Sequence, residues 1–429
     1  MESPVPVSAL TPLPGPVALV HEWFSPRSRG GAELVVEQMD ETLMAAGQRP
    51  DLFALVAGDS QDLDPWLAGR AIQTSFVQHL PWGSSHVQQY LPLLPLAIEQ
   101  FDLNPYPLVL SSSHLVAKGV LTGPDQLHVS YVHTPVRYAW DQMGAYLRHS
   151  SLARSPLGPL VRLQLHWLRQ WDVASAGRPD VLVANSRFTA SRIRRYWGRA
   201  AQVLHPPVAV QRFRWDQCRD DVYLSLCRLV PNKRVEVVVE AFNRTGLPLV
   251  VIGDGPERRR LEAMAGPRIR FLGRCSQAEA NHWLERCRAY VYAGLEDFGI
   301  APVEAMAAGA PVIAYGAGGL CDSVRCLNRG DRWPTGLLFP EQTPTSLVAA
   351  LEHFHHGQLW RQLPASGQRE WAEGFRPERF RDRFQALLSH SWDQHRHRLD
   401  SGRSAAEIAP ELAPDLTPDL TPDLPVPLA

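Results

Sequence analysis

The chain has 429 residues, 45% of them hydrophobic and 20% charged, enough apolar material for two domains of ordinary size. Its 43 basic and 44 acidic residues leave a formal net charge of −1, without the basic excess of a general nucleic-acid binder, so no nucleic-acid partner is expected. The six cysteines form no Cys-x-x-Cys pair and no apolar run reaches the ~18 residues of a membrane span, which argues against a disulfide framework, a zinc-finger spacing and a transmembrane helix.

Residues 1–16 are rich in Pro and small residues and read as a flexible lead. They lack the basic start and apolar core of a secretory signal, so a cytoplasmic protein is expected. Residues 17–21 read as a buried strand, followed by Gly30-Gly31 and a helix over 32–44. Further strands are expected at 51–56, 108–112, 127–133 and 181–184, with helices at 160–171 and 188–197. Asp62-Leu-Asp64 has the spacing of an Asp-x-Asp metal motif but lies in an irregular stretch and reads as surface loop. The pattern breaks at His205-Pro206-Pro207, and 208–221 reads as a polar linker. A second alternating series follows, with strands at 222–227, 249–252, 268–272, 289–292 and 311–314. Its helices fall at 234–242, 257–265, 277–286, 302–308, 344–354 and 376–389. The tail 391–429, with its Thr-Pro-Asp-Leu repeats, reads as disordered.

Strands alternating with helices predict parallel sheets covered on both faces, in an N-terminal unit over 17–207 and a C-terminal unit over 222–390 whose last helix is a candidate to pack back on the first unit. Neither carries Gly-x-Gly-x-x-Gly, so a dinucleotide redox role has little support. Ligands of open α/β sheets bind beyond the carboxyl ends of the strands, and the chemistry-bearing residues cluster there. Glu296-Asp-Phe-Gly-Ile-Ala-Pro-Val-Glu304 follows one strand and enters a helix expected near Pro302. The amides around Phe298, Gly299 and Ile300 would point from that helix start toward sugar or phosphate oxygens, and Glu304 would sit in its first turn. Arg228 and Lys233 follow another strand and could neutralise a diphosphate leaving group. Gly30-Gly31 would let backbone approach a phosphate. His133, with Arg137 close behind, ends an N-terminal strand, and Ser111-Ser-Ser-His114 with Lys118 ends another. Only two lysines occur, Lys118 and Lys233, so each is a candidate for a place that needs a compact ammonium. On spacing alone, helix-entry turns with surface charges explain each of these segments about as well.

Taken in order, the segments resemble the family 4 (group 1) glycosyltransferases. The likeness is strongest over 222–324, where 225–233, Gly253-Asp-Gly-Pro256, the Glu296–Glu304 pair and Ala308-Gly-Ala-Pro-Val312 fall in family order. The resemblance implies a GT-B fold, two Rossmann-like domains facing across a cleft, and a retaining, metal-independent hexosyltransferase with no tightly bound cofactor. It implies that Arg228 and Lys233 hold the donor diphosphate and that Glu304 binds the ribose. Glu296 and the amides of Phe298, Gly299 and Ile300 would meet the transferred sugar, Gly30 and Gly31 would lie under the diphosphate, and His133 would stand at the reacting face. Lys118 and Arg137 are acceptor-side candidates. The segments 111–119 and 131–141 look most like a mannosyltransferase branch, which favours GDP-mannose over a UDP-sugar. A glycan or lipid-linked acceptor in polysaccharide or glycolipid synthesis is implied.

Arg192, Arg194, Arg195 and Arg199 with Phe188, Ile193, Tyr196 and Trp197 could form a peripheral membrane face at the inner leaflet, although a helix with its aromatics turned inward is the favoured reading. The alternatives to a transferase are a non-catalytic nucleotide-sugar-binding scaffold and a GT-B sugar-nucleotide epimerase.

Overall fold

The computed structural model describes residues 13–24, 30–59, 63–149 and 151–408. Val17–Phe24 (β1) is buried along its whole length, as a central parallel strand covered on both faces must be. The strands that join it are Asp51–Ala57 (β2), Ile72–Thr74 (β3), Leu108–Ser113 (β4), Leu127–Val132 (β5), Val181–Ala184 (β6) and Gln202–Val203 (β7). They form a seven-stranded sheet in the order β3-β2-β1-β4-β5-β6-β7, every pair parallel. The helices of this half are Gly31–Ala45 (α1), Leu94–Glu99 (α2), Met143–His149 (α3), Ser151–Arg154 (α4), Gly158–Ser175 (α5) and Arg187–Trp197 (α6).

The second half repeats the plan. Its strands are Tyr223–Leu226 (β8), Leu249–Ile252 (β9), Ile269–Gly273 (β10), Ala289–Tyr292 (β11), Val312–Tyr315 (β12) and Gly336–Phe339 (β13). They form a parallel six-stranded sheet in the order β10-β9-β8-β11-β12-β13. Its helices are Val235–Thr245 (α7), Arg258–Met264 (α8), Gln277–Arg286 (α9), Ile300–Ala307 (α10), Leu320–Ser323 (α11), Pro344–His356 (α12), Ala365–Ala372 (α13) and Pro377–Ile408 (α14). The short strands β3, β7 and β13 escaped the sequence reading. All three lie at sheet edges, where an apolar run is short.

In each sheet the strand order reverses at one seam, between β1 and β4 and between β8 and β11. Loops leaving neighbouring strands on the two sides of such a seam diverge and leave a crevice at the carboxyl ends. The two crevices supply the walls of one cleft between the halves.

Two expectations change. The stretch 208–221 is irregular but packed: Val208, Val210 and Phe213 are buried in the C-terminal core beside Phe375. The tail does not begin at 391, because α14 runs to Ile408. Phe380, Phe384, Leu388 and Trp392 recur every four residues and pack on the N-terminal core with Leu19, Leu110 and Tyr131. His395, also buried, places its Nε2 3.1 Å from the Asp125 carbonyl. The repeats beyond 408, most of the lead 1–16 and Asp62 lie outside the described residues, while Leu13 is buried against the sheet.

Candidate active site

The cleft encloses roughly 830 Å³ and is lined from both halves. On its C-terminal wall, β8 ends in Leu226 and the chain turns through Cys227 and Arg228 into a 3-10 turn, Pro231–Lys233. Arg228 is exposed and lines the cleft. Lys233 lies across from the loop after β11, where its ammonium and the Tyr292 hydroxyl both donate to Glu296 Oε1. Burial opposes charge on Glu296, but Lys233 and Arg137 outweigh it and hold the carboxyl below its ordinary range. The carboxylate is therefore ionised and fixed at the cleft surface.

Gly299 enters α10 with φ +90°, a left-handed conformation that a side chain would strain. The helix starts at Ile300, two residues before the expected Pro302, which the first turn tolerates. Glu304 consequently falls beyond the first turn, so the helix-start dipole does not hold it. It is held by Arg212, whose Nη2 lies 2.6 Å away, while burial pushes the carboxyl above its ordinary value. Ala301 and Pro302 line the cleft and Glu304 does not. Arg212 was missed because it sits in the stretch read as linker. The Phe298 side chain is buried against His205 and Phe375, and the residue lines the cleft.

The N-terminal wall carries Trp23, Gly30, Gly31, His114, His133 and Arg137. Gly31 lies so close to Ile300 that an added Cβ would stand 2.3 Å from its Cδ1. His133 Nε2 is 2.8 Å from the Ser112 hydroxyl, and burial holds its imidazole well below the ordinary range, hence neutral. Sequence reading noted His114 but assigned it nothing. The structure sets it on the cleft, with Nδ1 3.0 Å from the buried carboxylate of Glu22.

One expected placement fails. Lys118 is not at the cleft: its ammonium is 1% exposed, 2.9 Å from Asp172 and 2.7 Å from the Ser175 hydroxyl, between the rings of Trp171 and Trp197. The chain after β4 folds the lysine under α5, and burial draws its pKa down against the pull of Asp172. On α6 the favoured reading holds in outline: Ile193 and Trp197 are buried while Arg194 and Arg195 are exposed. Arg192 is buried, with Nη1 2.6 Å from Asp297 and Nη2 2.7 Å from Asp141, and Tyr196 stacks on Trp140 at 4.6 Å. Arg137 also pairs with Asp297. Arg187 donates to Asp322 through its backbone amide at 2.7 Å and through Nε at 2.8 Å. Asp297, inside the Glu296–Glu304 motif, thus ties the two walls together.

Comparison with known proteins agrees with this architecture. A family model described as Glycosyltransferase Family 4 matches residues 29–212, and one described as Glycosyl transferases group 1 matches residues 212–370. The chain is 25% identical over 363 residues to a GDP-mannose-dependent alpha-mannosyltransferase of Corynebacterium glutamicum, covering 80% of this chain and 82% of that one. It is 29% identical over 234 residues to a D-inositol 3-phosphate glycosyltransferase of Streptomyces bingchenggensis, covering 46% of this chain and 50% of the other, so it spans about half the length of that relative. The fold is similar to that of sucrose-phosphate synthase from Thermosynechococcus elongatus, with a TM-score of 0.63 at 20% identity over 90% of this chain and 99% of that one. Together the two models span residues 29–370, and the chain belongs to the group 1 and family 4 glycosyltransferases, which share the GT-B fold.

Proposed function

We propose that the cleft moves a hexose from a nucleoside-diphosphate sugar to a glycan or lipid-linked acceptor, with retention at the anomeric carbon. One observation carries the reading: Arg228, the Lys233–Glu296 pair and the start of α10 share a single cleft, opposite Gly31 and His133. Departure of a nucleoside diphosphate builds negative charge, and Arg228 and Lys233 are cations already in position to stabilise it. Glu296, fixed by Lys233 and Tyr292, orients hydroxyls of the donor sugar, with the amides of Phe298, Gly299 and Ile300 beside it. Glu304, set by Arg212, meets the ribose when the nucleotide seats over α10. Neutral His133 stands at the reacting face. Attack comes from the face the diphosphate leaves, and a leaving phosphate oxygen takes the acceptor's proton, so no enzymatic nucleophile is required. No metal enters this scheme.

GDP-mannose is the favoured donor. The Corynebacterium relative, aligned over most of both chains, supports that choice. A panel of GDP-mannose, UDP-glucose and UDP-GlcNAc, followed by thermal shift and slow nucleoside-diphosphate release, tests it. Release from one donor is expected. Binding without release would favour the scaffold reading, and a changed sugar nucleotide without release would favour the epimerase.

A peripheral membrane contact, for a cytoplasmic enzyme with a lipid-linked acceptor, finds better support on α5 than on α6. Leu160, Leu163 and Trp167 follow one helical stripe and are 61%, 51% and 65% exposed. Co-sedimentation with anionic vesicles, lost in Trp167→Ser, is the expected result.

A further inference from the structure

Glu22 and His114 have no part in the scheme above, yet they form a closely held charged pair at the N-terminal wall. Glu22 is fully buried near the end of β1. Its Oε1 accepts from the Ser113 hydroxyl at 3.2 Å and from the amides of His114, Leu115, Val116 and Ala117 at 3.0, 2.8, 3.1 and 3.1 Å. A carboxylate held by four successive amides stays ionised and cannot swing. Its Oε2 lies 3.0 Å from Nδ1 of His114 and 3.7 Å from Nδ1 of His21. Beside that carboxylate the protonated ring is favoured, and in the imidazolium both ring nitrogens are N–H donors able to meet an anion. The ring packs edge-on against Trp23 at 4.6 Å, is 24% exposed and lines the cleft.

The groups facing His114 are Glu22 and His21 from β1, Glu33 from α1, and His133 and Arg137 beyond β5. Burial disfavours its charge, but Glu22 overrides it and the pKa is raised. His133, its ring centroid 6.4 Å away, is pushed down by burial and then by the charge on His114. Two neighbouring imidazoles whose titrations are driven apart have separate duties. His133 is driven toward the neutral form and His114 toward the charged one. That charge sits beside the start of α1, where the amides of Gly31 and Ala32 add positive dipole. The cations assigned to the donor, Arg228 and Lys233, belong to the opposite half.

We propose that Glu22 and His114 are a positioning pair for the acceptor: Glu22 aims the imidazolium at an anionic oxygen, phosphate or carboxylate, on the molecule that receives the sugar. The inference rests on the cleft being a nucleotide-sugar site, and its test keeps the two claims apart. The protein is first saturated with GDP, or with UDP if that is the nucleotide it binds, which fills the diphosphate site. Inorganic phosphate and mannose 6-phosphate are then titrated calorimetrically, with free mannose as the uncharged control. Both anions should bind the wild type and bind His114→Gln at least ten-fold more weakly, with nucleotide affinity within two-fold. Free mannose should not distinguish the two proteins. Because a raised pKa means that charge is lost as pH rises through it, wild-type anion binding should fade at alkaline pH, and His114→Arg should retain it there. Equal anion affinity in wild type and His114→Gln would overturn the proposal. So would a loss confined to the nucleotide, which would put His114 on the donor, or anion binding abolished by EDTA, which would make the pair part of a metal site. If neither nucleotide binds, the reading of the cleft fails first and takes the pair with it.

Discussion

Lys118 and Lys233 are the chain's only lysines, and their local settings match. Each lies in a 3-10 turn a few residues past a strand that borders its sheet's seam, β4 in one half and β8 in the other. Their surroundings differ. Lys118 turns inward to an Asp172 that has no exposure, and that carboxylate also accepts from the indoles of Trp140 and Trp197, each at 2.8 Å. Lys233 turns to Glu296, and the pair keeps 23% and 13% exposure on the wall of the cleft. A rare residue at a strand end therefore marks a place where an ammonium is needed without saying whether a core or a ligand needs it. What decides is the helix packed over the turn. In the N-terminal half α5 covers the lysine, whereas in the C-terminal half the turn faces the gap between the halves.

The largest expected effect lies on the buried side. Lys118→Ala removes one partner of a buried pair and leaves Asp172 uncompensated, a loss of about 3–5 kcal/mol. Chemical denaturation measures it, and an unchanged midpoint would break the comparison. Lys118→Met, which keeps volume, should cost less than the alanine variant, and nucleotide affinity of the folded fraction should not move. Next comes Lys233→Ala. Removing a preplaced donor from a site of developing charge is expected to lower turnover about 10²–10³-fold. The pair is partly solvated, so the denaturation midpoint should barely change. A variant that loses stability instead of turnover would make Lys233 a second Lys118.

Much of the fold was legible because parallel strands buried on both faces are unbroken apolar runs, and β6, β9 and β11 were bounded to the residue. The C-terminal wall was legible too, since Arg228, Lys233 and Glu296 sit at strand ends within one local series. What could not be read depends on contacts distant in sequence. Asp172 lies 54 positions beyond Lys118, and nothing near either residue announces the other. Arg192 looked like part of a solvent stripe because its partner Asp297 belongs to the other half. The extension of α14 did carry a signal, the four-residue recurrence of Phe380, Phe384, Leu388 and Trp392, but charged neighbours and the Pro-rich repeats beyond masked it. Glu22 was hidden because a buried glutamate held by backbone amides leaves no pattern in side chains.

The smallest expected effect tests the seam where the halves meet. A Cβ at Gly31 would stand 2.3 Å from Ile300 Cδ1, and the other close atom, Cγ1 of the same side chain, is 3.6 Å away. The obstacle is thus the far end of one flexible side chain, which can rotate aside. Gly31 is the first residue of α1 and its φ is outside the left-handed range, so Gly31→Ala strains no dihedral there. Stability should change by less than about 1 kcal/mol, within the range of substitutions that open no cavity and strand no polar group. Turnover should still fall several-fold, because Ile300 is the first residue of α10 and moving it displaces the amides that would meet the donor sugar. Measured with the donor that the panel identifies, a fall in turnover with nucleotide affinity unchanged would locate the effect at the sugar. An equal fall in both would mean that the methyl group holds the halves apart, and the contrast between a closed N-terminal core and an open C-terminal wall would then extend to the seam itself.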